Sequence, residues 1–163
     1  MKKILYHGGS HIIIRPEIRE PLRTLDFGKG FYVTSSQSQA ERWCRTHLRG
    51  QQDIAYVNLY EFDLDTLPAD FKIKIFEKAD EEWVDFVLAN RVDENFSHDF
   101  DIVYGPVAND RVYTQFSLFE GGIISKETLI RELKAYKLVD QYVFHTPRAL
   151  DAITYKSHYE VRI

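Results

Sequence analysis

A chain of 163 residues is long enough for one domain with its own hydrophobic core, and we expect a single domain over residues 1–163. Apolar residues make up 44% of it and charged residues 28%, as in ordinary soluble proteins, and the formal net charge of -4 argues against a general nucleic-acid binder. Cys44 is the only cysteine, which excludes an intrachain disulfide and a cysteine-based zinc site. The apolar run at the N-terminus is too short for a signal peptide or a membrane span, so we expect a cytoplasmic protein without membrane contact.

The first third of the sequence predicts strands around one helix. Residues 3–7 alternate in polarity and end at two glycines, and residues 31–34 form a second short strand. Ser36 begins the Ser-x-x-Gln spacing of a capping box, so a helix is predicted from there to Gly50. Residues 54–63, rich in β-branched and aromatic side chains, predict a longer strand.

The remainder of the sequence predicts further short elements of both kinds. Residues 71–77 alternate and suit a strand or the approach to a helix, whereas residues 109–119 favour a helix. Strands are predicted at 100–106, 138–146 and 155–163, and helices after the capping residues Asp80, Ser125 and Thr146. Strands and helices do not alternate regularly as in a doubly wound fold, so the predicted class is α+β.

Residues 27–32, FGKGFY, place two glycines directly before an aromatic pair. A dinucleotide-binding fingerprint requires a third glycine where Val33 stands, and a phosphate-binding P-loop requires a hydroxyl residue after the lysine. Two interpretations remain open. The glycines let the backbone approach a ligand, with Tyr32 projecting into the site, or the segment is a tight turn into a core strand.

Three sequence features occur together in the order found in a known superfamily. They are His7-Gly8 at the end of the first strand, the segment Phe27–Tyr32, and Ala40 with Trp43 on the helix that follows. With them the chain resembles the ADP-ribosyltransferase superfamily, in particular its His-Tyr-Glu branch, which includes the poly-ADP-ribose polymerases. FDIVYGPVANDRVY and QYVFHT make nearly the whole chain similar to DUF3990, a bacterial family of unknown function. The resemblance implies a split antiparallel β-sheet core with flanking helices.

The resemblance also implies an NAD-dependent mono-ADP-ribosyltransferase. His98 and His145 lack the spacing of metal ligands, so no metal is expected. His7 would hold a ribose hydroxyl, and Gly8 would offer backbone groups to the nicotinamide carboxamide. Tyr32 and Trp43 would sandwich the flat, cationic nicotinamide ring. Arg23, upstream of the glycines, would pair with the pyrophosphate of NAD.

The third motif of the branch is a glutamate at the start of a short strand near the C-terminus, and here that position is Gln141. Glutamine keeps a hydrogen bond to the ribose 2′-hydroxyl but supplies no negative charge, so we expect transfer of at most one ADP-ribose. His7, Tyr32 and Gln141 form the expected catalytic set. Asn109 and Asp110 follow a Gly-Pro turn and are expected to cap a helix or to line the acceptor side.

Other interpretations of these residues and other functions stay open. Trp43 lies on an apolar helical stripe and His7 suits a core histidine bonded to a carbonyl, so each also has a purely structural explanation. An NAD glycohydrolase and an inactive module that binds NAD or ADP-ribose are the rival functions. The resemblance to toxins and conflict-system effectors implies a small neutralising partner protein, and the acceptor is left open between protein, nucleic acid and small molecule.

Overall fold

A computed structural model describes residues 1–21, 23–48 and 50–163 of the chain. Within them seven strands and five α-helices form a mixed α+β fold with two sheets, which confirms the predicted class. In chain order the elements are β1 (Lys2–Gly9), β2 (Phe31–Val33), α1 (Gln37–His47), β3 (Ile54–Asp63), β4 (Ile73–Ile75), α2 (Glu81–Val92), β5 (Ile102–Pro106), α3 (Asp110–Glu120), α4 (Lys126–Lys134), β6 (Asp140–Phe144), α5 (Pro147–Leu150) and β7 (Ile153–Arg162). Residues 71–77, left open by the sequence, contribute the strand β4.

All five helices begin at a side-chain cap. Each capping oxygen accepts a hydrogen bond from the backbone N–H three residues later, which satisfies a donor that the helix itself leaves unpaired. The capping residues are Ser36, Asp80, Asn109, Ser125 and Thr146. The predicted caps are therefore confirmed, including that of Asn109.

The strands form two sheets of different type. The first sheet has the order β1-β3-β7 and is antiparallel throughout. The second has the order β2-β6-β5-β4, and in it β4 runs parallel to β5, so the expectation of a purely antiparallel core is wrong for this pair. The connection from Ile75 to Ile102 contains α2, and such a crossover returns the chain to the same end of the sheet, as a parallel pair requires.

A single antiparallel bridge joins the two sheets within the described residues. Tyr6 of the first sheet and Thr34, just after β2, exchange two backbone hydrogen bonds of 2.8 and 2.9 Å. Among the described residues β1 and β2 form no other bridge, and next to this one the side chain of His7 contacts the carbonyl of Tyr32. We call the region where β1 and β2 face each other on the Gly8 side of the bridge the split.

Apolar side chains pack on both faces of the joined sheets. The inner faces enclose one core between the sheets, which includes Leu5, Phe31, Val33, Tyr60, Phe62, Ile102, Phe144 and Ile153. The outer face of the second sheet packs on α2, α3 and α4, and the outer face of the first packs on α1. Tyr6 and Thr34 are directly opposite in the bridge, so their side chains lie on the same face. The outer face of the first sheet and the outer face of the second sheet therefore lie on the same side of the bridge.

Candidate active site at the split between the sheets

The glycine segment before β2 is a turn held by the side chain of Tyr32. The Tyr32 hydroxyl donates to the carbonyl of Gly28 at 2.7 Å and accepts from the backbone N–H of Phe27 at 3.0 Å. Gly28 has a φ of 90°, a conformation that favours glycine, and a Cβ there would lie 2.9 Å from Asn90 Oδ1. Of the two interpretations of these glycines, the structure supports the tight turn, since the close approach is to the protein itself.

The environment of Tyr32 keeps its hydroxyl protonated. Burial raises the pKa of Tyr32 well above its ordinary value, and the nearby charge of Asp26 raises it further. The ring packs at the margin of the core on the outer face of the second sheet. Tyr32 is therefore a hydrogen-bond donor with a fixed ring at neutral pH.

His7 is tied to Tyr32 through the backbone. Its Nδ1 lies 2.7 Å from the carbonyl oxygen of Tyr32, and because a carbonyl only accepts, Nδ1 carries the proton in this contact. In the neutral ring Nε2 is then the acceptor nitrogen. The imidazole stacks on Phe31 with ring centroids 4.5 Å apart, and Nε2 lies so near Gly9 that a Cβ there would approach it to 3.2 Å. The tautomer and the orientation of His7 are thus set by its neighbours.

Gly8 lies where α1 crosses β1. A Cβ on Gly8 would lie 1.8 Å from the carbonyl oxygen of Ala40, so any side chain there would displace the helix. The backbone groups of Tyr6 point across to Thr34, and those of Gly8, two residues further along the strand, face the same edge. Gly8 thus both admits α1 and directs its backbone groups toward the split.

Trp43 lies on α1 at the edge of the apolar stripe. Ala40 and Cys44 of the same helix are fully buried against the first sheet, while Trp43 is half-buried. Its ring pairs with no other aromatic ring of the described chain. Helix α1 covers the outer face, the side of the bridge on which Tyr32 also lies.

Gln141 is buried, and its amide nitrogen is bonded to a carboxylate. The side chain is 2% exposed, and Nε2 donates to Asp26 Oδ2 and to the carbonyl of Pro106, both at 3.4 Å. Gln141 and Val143 are two residues apart on β6, so their side chains lie on the same face of the strand. Val143 is paired with Tyr32 on β2. Gln141 and Tyr32 therefore project from neighbouring strands on one face.

Asp26 organises a polar cluster behind Gln141. Its carboxylate accepts from the Tyr113 hydroxyl at 3.0 Å and from the backbone N–H of Ala108 at 3.2 Å, and it pairs with Arg91 at 3.5 Å. Burial raises the pKa of Asp26, while these donors and the Arg91 charge oppose the rise. We call Asp26, Arg91, Tyr113 and Gln141 the Asp26 cluster.

Sequence reasoning missed Asp26. It directly precedes the glycine segment, but its partners Arg91, Tyr113 and Gln141 come from three distant parts of the chain, and no local pattern connects them. The absence of a carboxylate at position 141 therefore does not mean that the site lacks one.

The remaining predicted residues lie around this cluster. Arg23 is exposed, and its charge opposes the rise that burial and Asp26 cause in the pKa of Tyr113. Asn109 caps α3 through its bond from the N–H of Val112 at 3.0 Å, and Asp110 is exposed in the first turn of that helix. The start of α3 adjoins the cluster because the preceding residue, Ala108, donates to Asp26.

Two neighbouring cavities lie at the end of β5. A cavity of about 280 Å³ lies at the end of β5 beside α4, and its lining includes Glu77, Pro106, Leu133 and Tyr136. None of the predicted site residues lines it or the smaller neighbouring cavity. Over residues 1–21, 23–48 and 50–163, no cluster of three or more His, Cys, Asp or Glu residues is placed to hold a metal ion. Over the same residues no helix has the length and apolar character needed to cross a membrane.

Comparison with known proteins identifies a family. The model of a family described as a protein of unknown function (DUF3990) matches residues 3–155. No curated protein matches the chain.

Proposed function

The chain belongs to the DUF3990 family, and we propose that it is a mono-ADP-ribosyltransferase that uses NAD as its co-substrate. The observation that carries the proposal is the placement of His7, Tyr32 and Gln141 on adjoining strands beside the bridge between the sheets. The His7 ring lies against Phe31 of the inner face, and the side chains of Tyr32 and Gln141 project from the outer face. His7 bonds to the backbone of Tyr32, and Tyr32 shares a face with Gln141 on the neighbouring strand. These residues come from three distant segments, and they match in order the three motif positions of the superfamily that the sequence resembles.

The reaction breaks the bond between the ribose C1′ carbon and the nicotinamide nitrogen. The bonding electron pair leaves with nicotinamide, whose ring becomes neutral, and positive charge builds on the ribose. The acceptor's nucleophilic atom then bonds to C1′ and releases its proton to solvent. A site for this reaction has to hold the ribose, seat the leaving ring and face the developing charge with acceptor groups.

His7 is suited to hold the ribose. Its Nδ1–H is bonded to the carbonyl of Tyr32, so in the neutral ring Nε2 is the nitrogen that would accept a hydrogen bond from a ribose hydroxyl. Stacking on Phe31 restrains the ring before the substrate arrives. This preorganisation lowers the entropy lost on binding and supports the assignment of His7 as the ribose-binding residue.

The nicotinamide ring would lie in the split. Tyr32 would contribute one wall from the second sheet and Trp43 the other from α1, and each contact with the cationic ring is worth about 1 kcal/mol. Arg23 would pair with the pyrophosphate, and Asn109 with Asp110 would face the acceptor. The exposure of Arg23 and Asp110 supports these roles, because both groups face solvent on the side of the Asp26 cluster.

A binding module is the second candidate function. Gln141 carries no charge, and its side chain is almost entirely buried, which favours a protein that holds NAD or ADP-ribose without breaking it. A glycohydrolase, in which water takes the place of the acceptor, is the third. In each case the family resemblance suggests a toxin-like effector with a small neutralising partner protein.

Nicotinamide release from NAD is the test. We expect release by the parent protein, an adduct of a single ADP-ribose on the acceptor by mass spectrometry, and a loss of about 100-fold or more in kcat/KM for His7→Ala. His11→Ala is the matched control, since His11 is exposed and its side chain bonds only to its neighbour Ser10 among the contacts described. It should stay within about twofold of the parent.

The alternatives give different results in the same assay. Release of nicotinamide without any adduct identifies a glycohydrolase. Binding of NAD without release identifies a binding module. A folded protein that neither binds nor cleaves NAD overturns the proposal.

A further inference from the structure

The amide of Gln141 has only one orientation that suits its surroundings. Both contacts of Nε2, the Asp26 carboxylate and the Pro106 carbonyl, are acceptors only. A flipped amide would turn Oε1 toward these two oxygens and lose both hydrogen bonds. The nitrogen therefore faces Asp26 and Pro106, and Oε1 faces away from them.

The oxygen of the same amide reaches solvent. Oε1 accepts no hydrogen bond from the described residues, in which His145 Nε2 is the one fully occluded side-chain polar atom without a partner. Oε1 of Gln141 has no partner in the described part of the chain and is not fully occluded, so it retains some exposure. The little exposure that Gln141 retains is thus at its acceptor end, on the face of β6 that it shares with Tyr32.

The carboxylate behind the amide is firmly held. Oδ2 of Asp26 accepts from Ala108 as well as from Gln141, and Oδ1 accepts from Tyr113 and Arg91. Four donors from separate elements surround it, so its position does not depend on Gln141. A hydrogen bond donated to an anion polarises the donor amide and increases the negative partial charge on its oxygen.

We propose that Asp26 is a positioning residue for the reaction, which fixes the Gln141 amide with Oε1 toward the ribose and increases the negative charge on that oxygen. Together the two side chains take the place of the glutamate that the third motif of the resembling branch carries. The negative charge is carried by the Asp26 carboxylate, which is hydrogen-bonded to the Gln141 amide, whereas in the branch it is carried by the glutamate side chain that itself accepts the hydrogen bond. This inference rests on the proposed function, since it assigns a role in the same reaction.

The first test is Asp26→Asn, measured as kcat and KM for nicotinamide release. The variant keeps the size of the side chain but removes its negative charge. The NH₂ group of the asparagine also faces hydrogen-bond donors on one side of the Asp26 cluster, so the hydrogen bonds on that side are lost. We expect kcat to fall about tenfold or more while KM for NAD stays within about threefold, since the interaction strengthens only as charge develops. Asp151→Asn, an exposed change just after α5, is the matched control and should leave both constants unchanged.

The second test is rescue by Gln141→Glu. In the Asp26→Asn background the new glutamate supplies its own charge and needs no carboxylate behind it, so kcat should recover several-fold. In the parent background the same change places two carboxylates together, which raises the pKa of one of them, so kcat should not rise and should become dependent on pH below neutrality. A purely structural role for Asp26 gives no such rescue.

The outcomes separate this inference from the proposed function. A parent that releases no nicotinamide overturns both. An active parent whose Asp26→Asn variant keeps kcat within twofold overturns the inference alone, as does a loss that Gln141→Glu does not repair.

If Asp26→Asn does not fold, the inference is tested in the parent protein by NMR, from the side-chain NH₂ signals of Gln141. The inference requires signals that are protected from exchange and shift as Asp26 titrates. Rapidly exchanging signals that are insensitive to pH overturn it.

Discussion

Tyr32 combines two roles that the sequence does not separate. Its ring lies on the face of β2 that the proposal assigns to nicotinamide, while its hydroxyl bonds to the backbone of the glycine turn. The hydroxyl satisfies one donor and one acceptor of a turn whose φ at Gly28 is 90°. Ring and hydroxyl can therefore be tested independently.

Tyr32→Phe should destabilise the fold without weakening NAD binding. The change leaves two backbone groups of the turn without their partner, so we expect the free energy of unfolding to fall by about 1–3 kcal/mol. The ring remains, so the dissociation constant for NAD should change less than about threefold, whereas Tyr32→Ala should also lose about 1–3 kcal/mol of binding. Denaturant unfolding and calorimetric titration with NAD measure the two quantities.

Tyr155→Phe provides the comparison for Tyr32→Phe. The Tyr155 hydroxyl bonds to His158 at an exposed site, so its removal should change the stability by less than about 0.5 kcal/mol. A Tyr32→Phe protein as stable as the parent would show that the hydroxyl does not hold the turn. A Tyr32→Ala protein with unchanged NAD affinity would remove Tyr32 from the binding site.

At the scale of elements, local sequence patterns predict the helices and strands. They do not predict contacts between residues that are far apart in the chain. The caps at Ser36 and Asp80 depend on residues three positions apart, so the sequence alone places them. The parallel pairing of β4 with β5 depends on how the chain returns through α2, which no local pattern encodes. The role of Asp26 could not be predicted from the sequence for the same reason, because its hydrogen-bond partners are 65 or more residues away.

The two glycines at the end of β1 should respond differently to alanine. Gly8→Ala places a methyl group 1.8 Å from the backbone of α1, which cannot yield locally, so we expect a loss of about 3 kcal/mol or more in stability. Gly9→Ala places it 3.2 Å from His7 Nε2, the end of a side chain, so stability should change by less than about 1 kcal/mol. Nicotinamide release by Gly9→Ala should nevertheless fall about tenfold if Nε2 contacts the ribose.

Thermal melting and nicotinamide release, measured on the same two preparations, test this pair. A stable Gly8→Ala protein would contradict the close packing of α1 on β1. A Gly9→Ala protein with full activity would argue against a role for His7 Nε2.

At the scale of the whole molecule, two histidines tie the glycine turn to the second sheet. His145, after β6, bonds through Nδ1 to the carbonyl of Lys29 at 2.7 Å, and His98 bonds through Nε2 to the carbonyl of Phe27 at 3.0 Å. The two rings meet edge to face with centroids 4.4 Å apart. Burial lowers the pKa of His145 to about 4, while the Lys29 carbonyl opposes the shift.

The His145 contact makes the stability of the molecule depend on pH. A histidine in the unfolded chain has a pKa of about 6.5, so between about pH 6.5 and pH 4 the unfolded state binds a proton that the folded state does not. Stability is therefore present above this window and is lost as the pH falls through it, by at most about 3 kcal/mol. Asp26 acts in the opposite sense because its pKa is raised. The pKa of Asp101 is lowered by Arg148, so the stability that Asp101 contributes is present throughout this window and is lost only at more acid pH.

His145→Asn isolates the contribution of this histidine. The asparagine NH₂ replaces Nδ1–H as the donor to Lys29 but does not titrate, so the variant should lose less stability than the parent between pH 7 and pH 4.5. The difference, on the order of 2 kcal/mol, is read from denaturant unfolding at both pH values, with Asp26 and Asp101 present in each protein so that their contributions cancel. His11→Asn, at an exposed position, should follow the parent curve. Parallel curves for His145→Asn and the parent would mean that His145 takes up its proton in the folded protein as it does in the unfolded chain. Burial would then not keep the His145 imidazole neutral in this pH range.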